Sequence, residues 1–214
     1  MNFEFTEEQT LLDNMVTSFV RDNYDWETRC SIVKTEEGWN HENWSQFAEL
    51  GLLGVPFSEE HGGLGGSPTD LMIVMEQFGK GLVLEPFLAN VVLGGGAIQM
   101  GGSEELKNEM LSSLIEGSKQ LTLAYAEQQS RFDLEDVATS ARKEGEKYII
   151  NGQKSMVLNA ESADHLVVVT RTNGSQVDEE GITLFLVDSD SKGLERNNFP
   201  TVDGLRASEI TFDN

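Results

Sequence analysis

Leu121-Thr122-Leu123-Ala124-Tyr125-Ala126-Glu127 and, downstream of it, Gly152-Gln153-Lys154-Ser155-Met156-Val157-Leu158 decide how this chain folds. Before Leu121 the apolar residues recur at helical spacing. From Leu121 onward they alternate with a period of two and are enriched in β-branched types, which is strand patterning. Between the two quoted segments, and inside the second, Glu144-Gly145 and Asn151-Gly152 separate strand-like runs. Asn-Gly is among the strongest two-residue hairpin signals, so the sequence predicts two hairpins here. Leu166 to Thr170, Ile182 to Val187 and Glu209 to Phe212 read as further strands, and the acidic stretch Asn173 to Glu180 reads as an exposed loop.

The helical half has its own punctuation. Thr6-Glu7-Glu8-Gln9 has capping-box spacing, and Leu11, Leu12, Met15, Val16, Phe19 and Val20 then form one apolar stripe. A shorter helix is predicted over Trp44 to Leu50, stopped by Gly51. Ser67-Pro68-Thr69-Asp70 opens another, with Leu71, Val74, Met75 and Phe78 at i, i+3, i+4 and i+7 before Gly79. A helix is predicted from Pro86 to Met100, and Ser103-Glu104-Glu105 starts one that ends at Gly117. Helices followed by strands imply an α+β chain: an N-terminal all-α helical domain, residues 1–118, then an antiparallel β-barrel or sandwich domain, residues 119–214.

Composition excludes several functions. The formal charge of −22, from 37 acidic and 15 basic residues, opposes binding to a polyanion, so no nucleic-acid partner is expected. Apolar runs such as Leu71 to Met75 fall far short of the roughly 20 residues that cross a bilayer, so no membrane span is expected. The N-terminus Met1-Asn2-Phe3-Glu4-Phe5 lacks the basic and apolar regions of a secretory signal, which makes a cytoplasmic location the expectation. Cys30 is the sole cysteine, and His41, His61 and His165 are scattered, so no metal site is predicted. His61-Gly62-Gly63-Leu64-Gly65-Gly66 invites comparison with a phosphate cradle. No Walker Lys-Ser/Thr follows it and no nucleophile elbow accompanies it, so it reads as a conformationally demanding turn. Gly94-Gly95-Gly96 interrupts a helical pattern. It implies either a kinked helix or room for a ligand or a second backbone to approach.

Over essentially its whole length the chain resembles the acyl-CoA dehydrogenase family. Phe5-Thr6-Glu7-Glu8-Gln9 and the run from Leu50-Gly51-Leu52-Leu53-Gly54-Val55-Pro56 to His61-Gly62-Gly63-Leu64-Gly65 carry the resemblance in the helical half. Ala124-Tyr125-Ala126-Glu127, Asn151-Gly152-Gln153-Lys154-Ser155, Asp203-Gly204-Leu205-Arg206 and Glu209-Ile210-Thr211-Phe212 carry it in the β half. Gln129-Ser130-Arg131-Phe132-Asp133-Leu134 departs from the family's alanine-glycine-serine-aspartate. It is more similar to a divergent branch that includes small subunits of two-component acyl-CoA dehydrogenases, such as pimeloyl-CoA dehydrogenase.

The resemblance implies FAD as cofactor, held against Tyr125, Ala126, Glu127, Phe132, Asp133, Met156, Val157 and Leu158, with Gly94, Gly95 and Gly96 at the substrate pocket. Three family side chains are replaced: a threonine by Ala126, the flavin-packing tryptophan by Met156, and a hydroxyl residue by Leu158. It further implies an acyl-CoA substrate drawn from fatty-acid metabolism, an electron-acceptor flavoprotein and a homo- or hetero-oligomer. The family's glutamate base belongs to a C-terminal helical bundle that is absent from this chain. No catalytic residue is therefore expected before Asn214, and the chain reads as an enzyme fragment inactive alone. The alternative reading is a flavin-deficient structural subunit of a heteromeric enzyme.

Overall fold

A computed structural model describes residues 4–213. The first unit comprises the residues up to 87 together with 98–118. Its helices are α1 (Glu7–Asn23), α2 (Trp26–Val33), α3 (His41–Glu49), α4 (Pro68–Gly81), α5 (Gly96–Gly101), which begins two residues before this unit resumes, and α6 (Glu104–Ile115). The predicted caps are present. Thr6 and Gln9 form a reciprocal capping box, Ser67 and Asp70 form another, and Gly51 ends the α3 segment at φ 73°. Helix α4 runs past Gly79 to Gly81, and α2 carries too weak an apolar stripe to have been read from the sequence. Aromatic side chains fill the core: Phe47 stacks on Phe78 at 4.7 Å, and Phe19 and Phe87 meet this pair edge-on.

One carboxylate is buried among these helices. Glu85 accepts from the Tyr24 hydroxyl and from Asn43 Nδ2 at 3.0 Å, and burial raises its pKa above the ordinary range. The His61–Gly66 run closes on itself. The N–H groups of Gly62, Gly63, Leu64, Gly65 and Gly66 all donate to backbone carbonyls of residues 54–59, which leaves none of them for a phosphate.

The second unit comprises residues 88–97 with 119 onward. It contains a π-helix, Leu88–Gly95, and seven strands: β1 (Leu121–Ala124), β2 (Ser140–Glu144), β3 (Lys147–Leu158), β4 (His165–Arg171), β5 (Ile182–Asp188), β6 (Leu194–Pro200) and β7 (Arg206–Asp213). They form one curled mixed sheet in the order β1-β4-β2-β3-β7-β6, with β5 paired to β4. Most pairings are antiparallel. β1 runs parallel to β4, and a single β2–β4 bridge is also parallel. The core gathers Ala124, Val157, Ala160, Leu166, Val168, Ile210 and Phe212.

Two sequence expectations are corrected. Only Glu144-Gly145 turns a hairpin. Asn151-Gly152 lies inside β3, which continues unbroken and pairs first with β2 and then with β7. Gly152 is present for a different reason: its φ is 147°, and a Cβ there would lie 2.6 Å from Thr139 Cα. The Pro86–Met100 helix is likewise not one regular α-helix, since Leu88–Gly95 is wound as a π-helix.

The predicted loop at 173–180 is pinned. Arg171 is 7% exposed, and its five guanidinium N–H groups donate to the carbonyls of Glu135, Val137, Asn173, Asp178 and Glu180 at 2.8–3.4 Å. A buried cation without a carboxylate partner is here neutralised by carbonyl dipoles. Among the described residues no helix is long and apolar enough to cross a membrane, and no group of three or more His, Cys, Asp or Glu is placed to hold a metal.

Candidate functional site

The two segments quoted at the outset meet at a bulge in β3. Lys154 pairs with Ile210 and Val157 with Ser208, so three steps along β3 match two along β7. An extra residue reverses the facing of the residues beyond it. Lys154 and Val157 therefore both turn inward, at 0% and 1% exposure, while Met156 is 48% exposed. Met156 has φ 52°, a left-handed backbone uncommon outside glycine.

Lys154 anchors the neighbouring segment. Its ammonium donates to Glu127 Oε1 at 2.6 Å and to the Tyr125 carbonyl at 3.2 Å. Glu127 also accepts from Thr139 N–H at 3.0 Å, Ala138 N–H at 2.9 Å and Gln129 Nε2 at 2.7 Å. Burial alone would raise the Glu127 pKa. The hydrogen bonds from Lys154, Gln129 and Thr139 outweigh it and hold the carboxyl at about 2, so it is ionised at neutral pH. Burial lowers the Lys154 pKa against the opposing pull of Glu127. Ser155 N–H donates to the Ala126 carbonyl at 2.8 Å, which lays residues 125–127 beside the bulge.

This arrangement sorts the residues named from the sequence. Tyr125 is 43% exposed, and the carbonyls of Tyr125 and Ala126 are both held by β3, by the Lys154 ammonium and by Ser155 N–H. Glu127 and Val157 point inward, so Glu127 acts through the backbone it holds and Val157 through the core. Phe132 is 99% exposed, and Asp133 closes its turn by donating its N–H to the Ser130 carbonyl at 2.8 Å. Leu158 is partly buried, and its carbonyl accepts from Thr122 Oγ1 at 2.5 Å.

A pocket of about 430 Å³ opens in the same unit, walled by Leu93, Ala97, Leu123, Tyr125, Ser130, Asp133, Leu134, Asp136, Val169 and Leu184. Of the three glycines, Gly94 packs so closely on β1 that a Cβ would sit 2.7 Å from Leu121 Cβ, and Gly95 is buried. Gly96 has open space at its Cβ position. Their flanking residues Leu93 and Ala97 line the pocket.

The side chains named there are of types that suit a flat aromatic group. Tyr125 and Met156 offer a half-exposed ring and a polarizable thioether, and Ala126 takes up little room. These residues fit an isoalloxazine. None of Ala126, Met156 and Leu158 has a side-chain donor, so polar recognition of such a ring falls to backbone N–H groups.

Residues 6–118 match the family model described as acyl-CoA dehydrogenase, N-terminal domain, and residues 122–214 match the one described as acyl-CoA dehydrogenase, middle domain. This chain belongs to the acyl-CoA dehydrogenase family. The relative named "Acyl-CoA dehydrogenase, short-chain specific" from Clostridium acetobutylicum is 31% identical over 216 residues, which cover 99% of this chain and 55% of the relative. The solved structure titled "FAD complex of PigA" superposes with a TM-score of 0.88 at 25% identity, covering 100% of this chain and 57% of that one. The ChsE4-ChsE5 complex from Mycobacterium tuberculosis gives 0.87 at 24% identity, with 100% and 56% covered, and shares the fold. The chain thus spans about half the length of the acyl-CoA dehydrogenase relatives it matches.

Sequence reasoning passed over Lys154 as a buried partner. The signal for Lys154 was a lone cation within a strand-like run, opposite a glutamate at the end of another strand.

Proposed function

We propose that this chain is the N-terminal and middle region of an FAD-dependent acyl-CoA dehydrogenase that introduces an α,β double bond into an acyl-CoA thioester. The observation that carries this reading is the buried Lys154–Glu127 pair, which locks residues 125–127 against a bulge that turns Met156 outward. FAD, when bound, supplies the hydride acceptor. Tyr125, Ala126 and Met156 would hold its ring, and the apolar wall of Leu93, Leu123, Leu134 and Leu184 would receive an acyl group and exclude water.

No proton-removing base is assigned within residues 4–213. Glu127 and Glu85, the buried carboxylates, are both engaged by donors in place. The reading therefore expects no oxidation of acyl-CoA by residues 1–214 alone with an artificial electron acceptor. The complete protein should show flavin absorbance that bleaches on adding an acyl-CoA. Turnover by residues 1–214 alone would overturn the assignment of the base, and a complete protein whose flavin no acyl-CoA bleaches would overturn the activity.

A second reading is favoured by the missing side-chain donors at Ala126, Met156 and Leu158: a subunit of a heteromeric enzyme that keeps the fold without holding flavin. It is distinguished by purification of the complete protein without flavin but with a flavin-bearing homologue.

A further inference from the structure

Strand β3 has a stretch of edge that no described strand covers. On one side its residues 147–151 pair with β2, from Lys147 opposite Glu144 to Asn151 opposite Ser140. On the other side the pairing with β7 starts only at Asn151, opposite Asp213. Residues 147–150 therefore have no described strand partner on the β7 side.

Alternation along the strand tells which backbone groups face that side. The carbonyls of Gln153 and Asn151 accept from the hydroxyls of Thr139 and Ser140, at 3.2 and 3.5 Å, so both residues turn their polar groups toward β2. Successive residues of a strand point their N–H and C=O in opposite directions. Gly152 then faces β7, where it lies opposite Phe212. By the same alternation Ile150 and Tyr148 present their N–H and C=O groups to the open edge.

A pocket of about 600 Å³ lies along it, walled by Tyr148 and Ile150 of β3, Phe185 and Val187 of β5, Leu194 of β6 and Phe212 of β7. The Tyr148 and Phe185 rings are 4.7 Å apart, and Ile150, Val187 and Leu194 pack on the core. An open edge with apolar side chains is a template for a further strand, and folded proteins protect such edges with charge, proline or a cover. The terminal strand β6 carries Glu195, Arg196 and Pro200, whereas the open stretch of β3 reads Tyr148-Ile149-Ile150. β5, whose outer edge is also unpaired, supplies residues 185–188 to the same pocket.

We propose that the chain beyond Asp213 runs on as an extension of β7 along this edge, with Asn214 opposite Ile150 and the second residue after Asn214 opposite Tyr148. Asn214 itself lies outside the described residues. Strand β7 already has the required phase: Asp213 donates its N–H to the Gly193 carbonyl at 2.8 Å, toward β6, so the next residue turns its N–H and C=O toward β3. The extension adds two hydrogen-bonded pairs to the β3–β7 ladder and covers apolar surface of the pocket. The rest of the protein then leaves the sheet beside the Glu144-Gly145 turn, at the opposite end of β3 from Met156. The extension presupposes the reading of this chain as part of a longer protein, and owes nothing to the chemistry proposed above.

Hydrogen exchange of the complete protein, resolved to single amides by fragmentation mass spectrometry, tests the strand. In the wild type the Tyr148 and Ile150 amides should exchange as slowly as that of Ile149, which faces β2. Asn214→Pro removes the donor opposite Ile150 and places a proline where a strand must pair. Both amides should then exchange at least about 10-fold faster, while Ile149 and the amides of β7 stay as in wild type. Asn214→Ala keeps the backbone donor and should leave all of them unchanged. Fast exchange of Tyr148 and Ile150 in the wild type shows an open edge and overturns the proposal. Protection that survives Asn214→Pro assigns the edge to another segment, and protection that rises with protein concentration assigns it to a second copy. Either result overturns the extension, as does a loss in Asn214→Ala equal to that in Asn214→Pro. Flavin binding is read separately by fluorescence, so failure of the strand and failure of the functional reading are told apart.

Discussion

Lys154 and Glu127 show how a single buried pair can organise a site without touching a ligand. Both side chains are almost wholly buried, and removal of one partner strands the other charge in the core, which costs about 3–5 kcal/mol. Lys154→Met should therefore destabilise more than Glu127→Gln with Lys154→Met together, as measured by urea unfolding. A double variant less stable than Lys154→Met alone would contradict the pairing. The pH dependence follows from the lowered Glu127 pKa. Between its usual 4.5 and about 2, the unfolded state binds more protons than the folded one. The contribution of Glu127 is thus fully present above about pH 4.5 and is lost as pH falls toward 2. Glu127→Gln should flatten the loss of stability across that window, and an unaltered acid limb would show that Glu127 is not the group responsible.

At the scale of elements, the sequence was most legible where local chemistry and burial agree. The capping boxes at Thr6 and Ser67, the stop at Gly51 and the switch to period two at Leu121 each follow from backbone hydrogen bonding that a few neighbouring residues settle. Asn151-Gly152 misled because the same dipeptide serves two purposes. Its glycine answers to Thr139, thirteen residues away, and distance in sequence hides that neighbour. Gly152→Ala should cost about 1–3 kcal/mol by overlap and backbone strain, read as a lower urea midpoint. A midpoint equal to that of wild type would contradict the close approach.

Arg171 was hidden for a similar reason. Its five partners are carbonyls, which leave no side-chain signature. Arg171→Met should leave the carbonyls of residues 173–180 without their donor and make that loop the first site of limited proteolysis, with stability lower by about 3 kcal/mol. A loop that remains as resistant as in wild type would show that Arg171 does not hold it.

For the whole molecule, the order of helices before strands and the family were both readable from the sequence, since long runs of residues contribute to each. Tyr125, Ala126 and Met156 were placed by resemblance, but the bulge that turns Met156 outward depends on register with β7, which no local pattern encodes. The central claim is that the platform of Tyr125, Ala126 and Met156 holds the flavin ring. Its most direct test is a flavin-fluorescence titration of the complete protein, as wild type and with Ala126→Thr and Leu158→Thr combined. The account expects saturable quenching in the wild type and about tenfold tighter binding in the double variant, since each restored hydroxyl adds a hydrogen bond to the ring. Absence of quenching in both proteins, or equal affinity in the two, would contradict it.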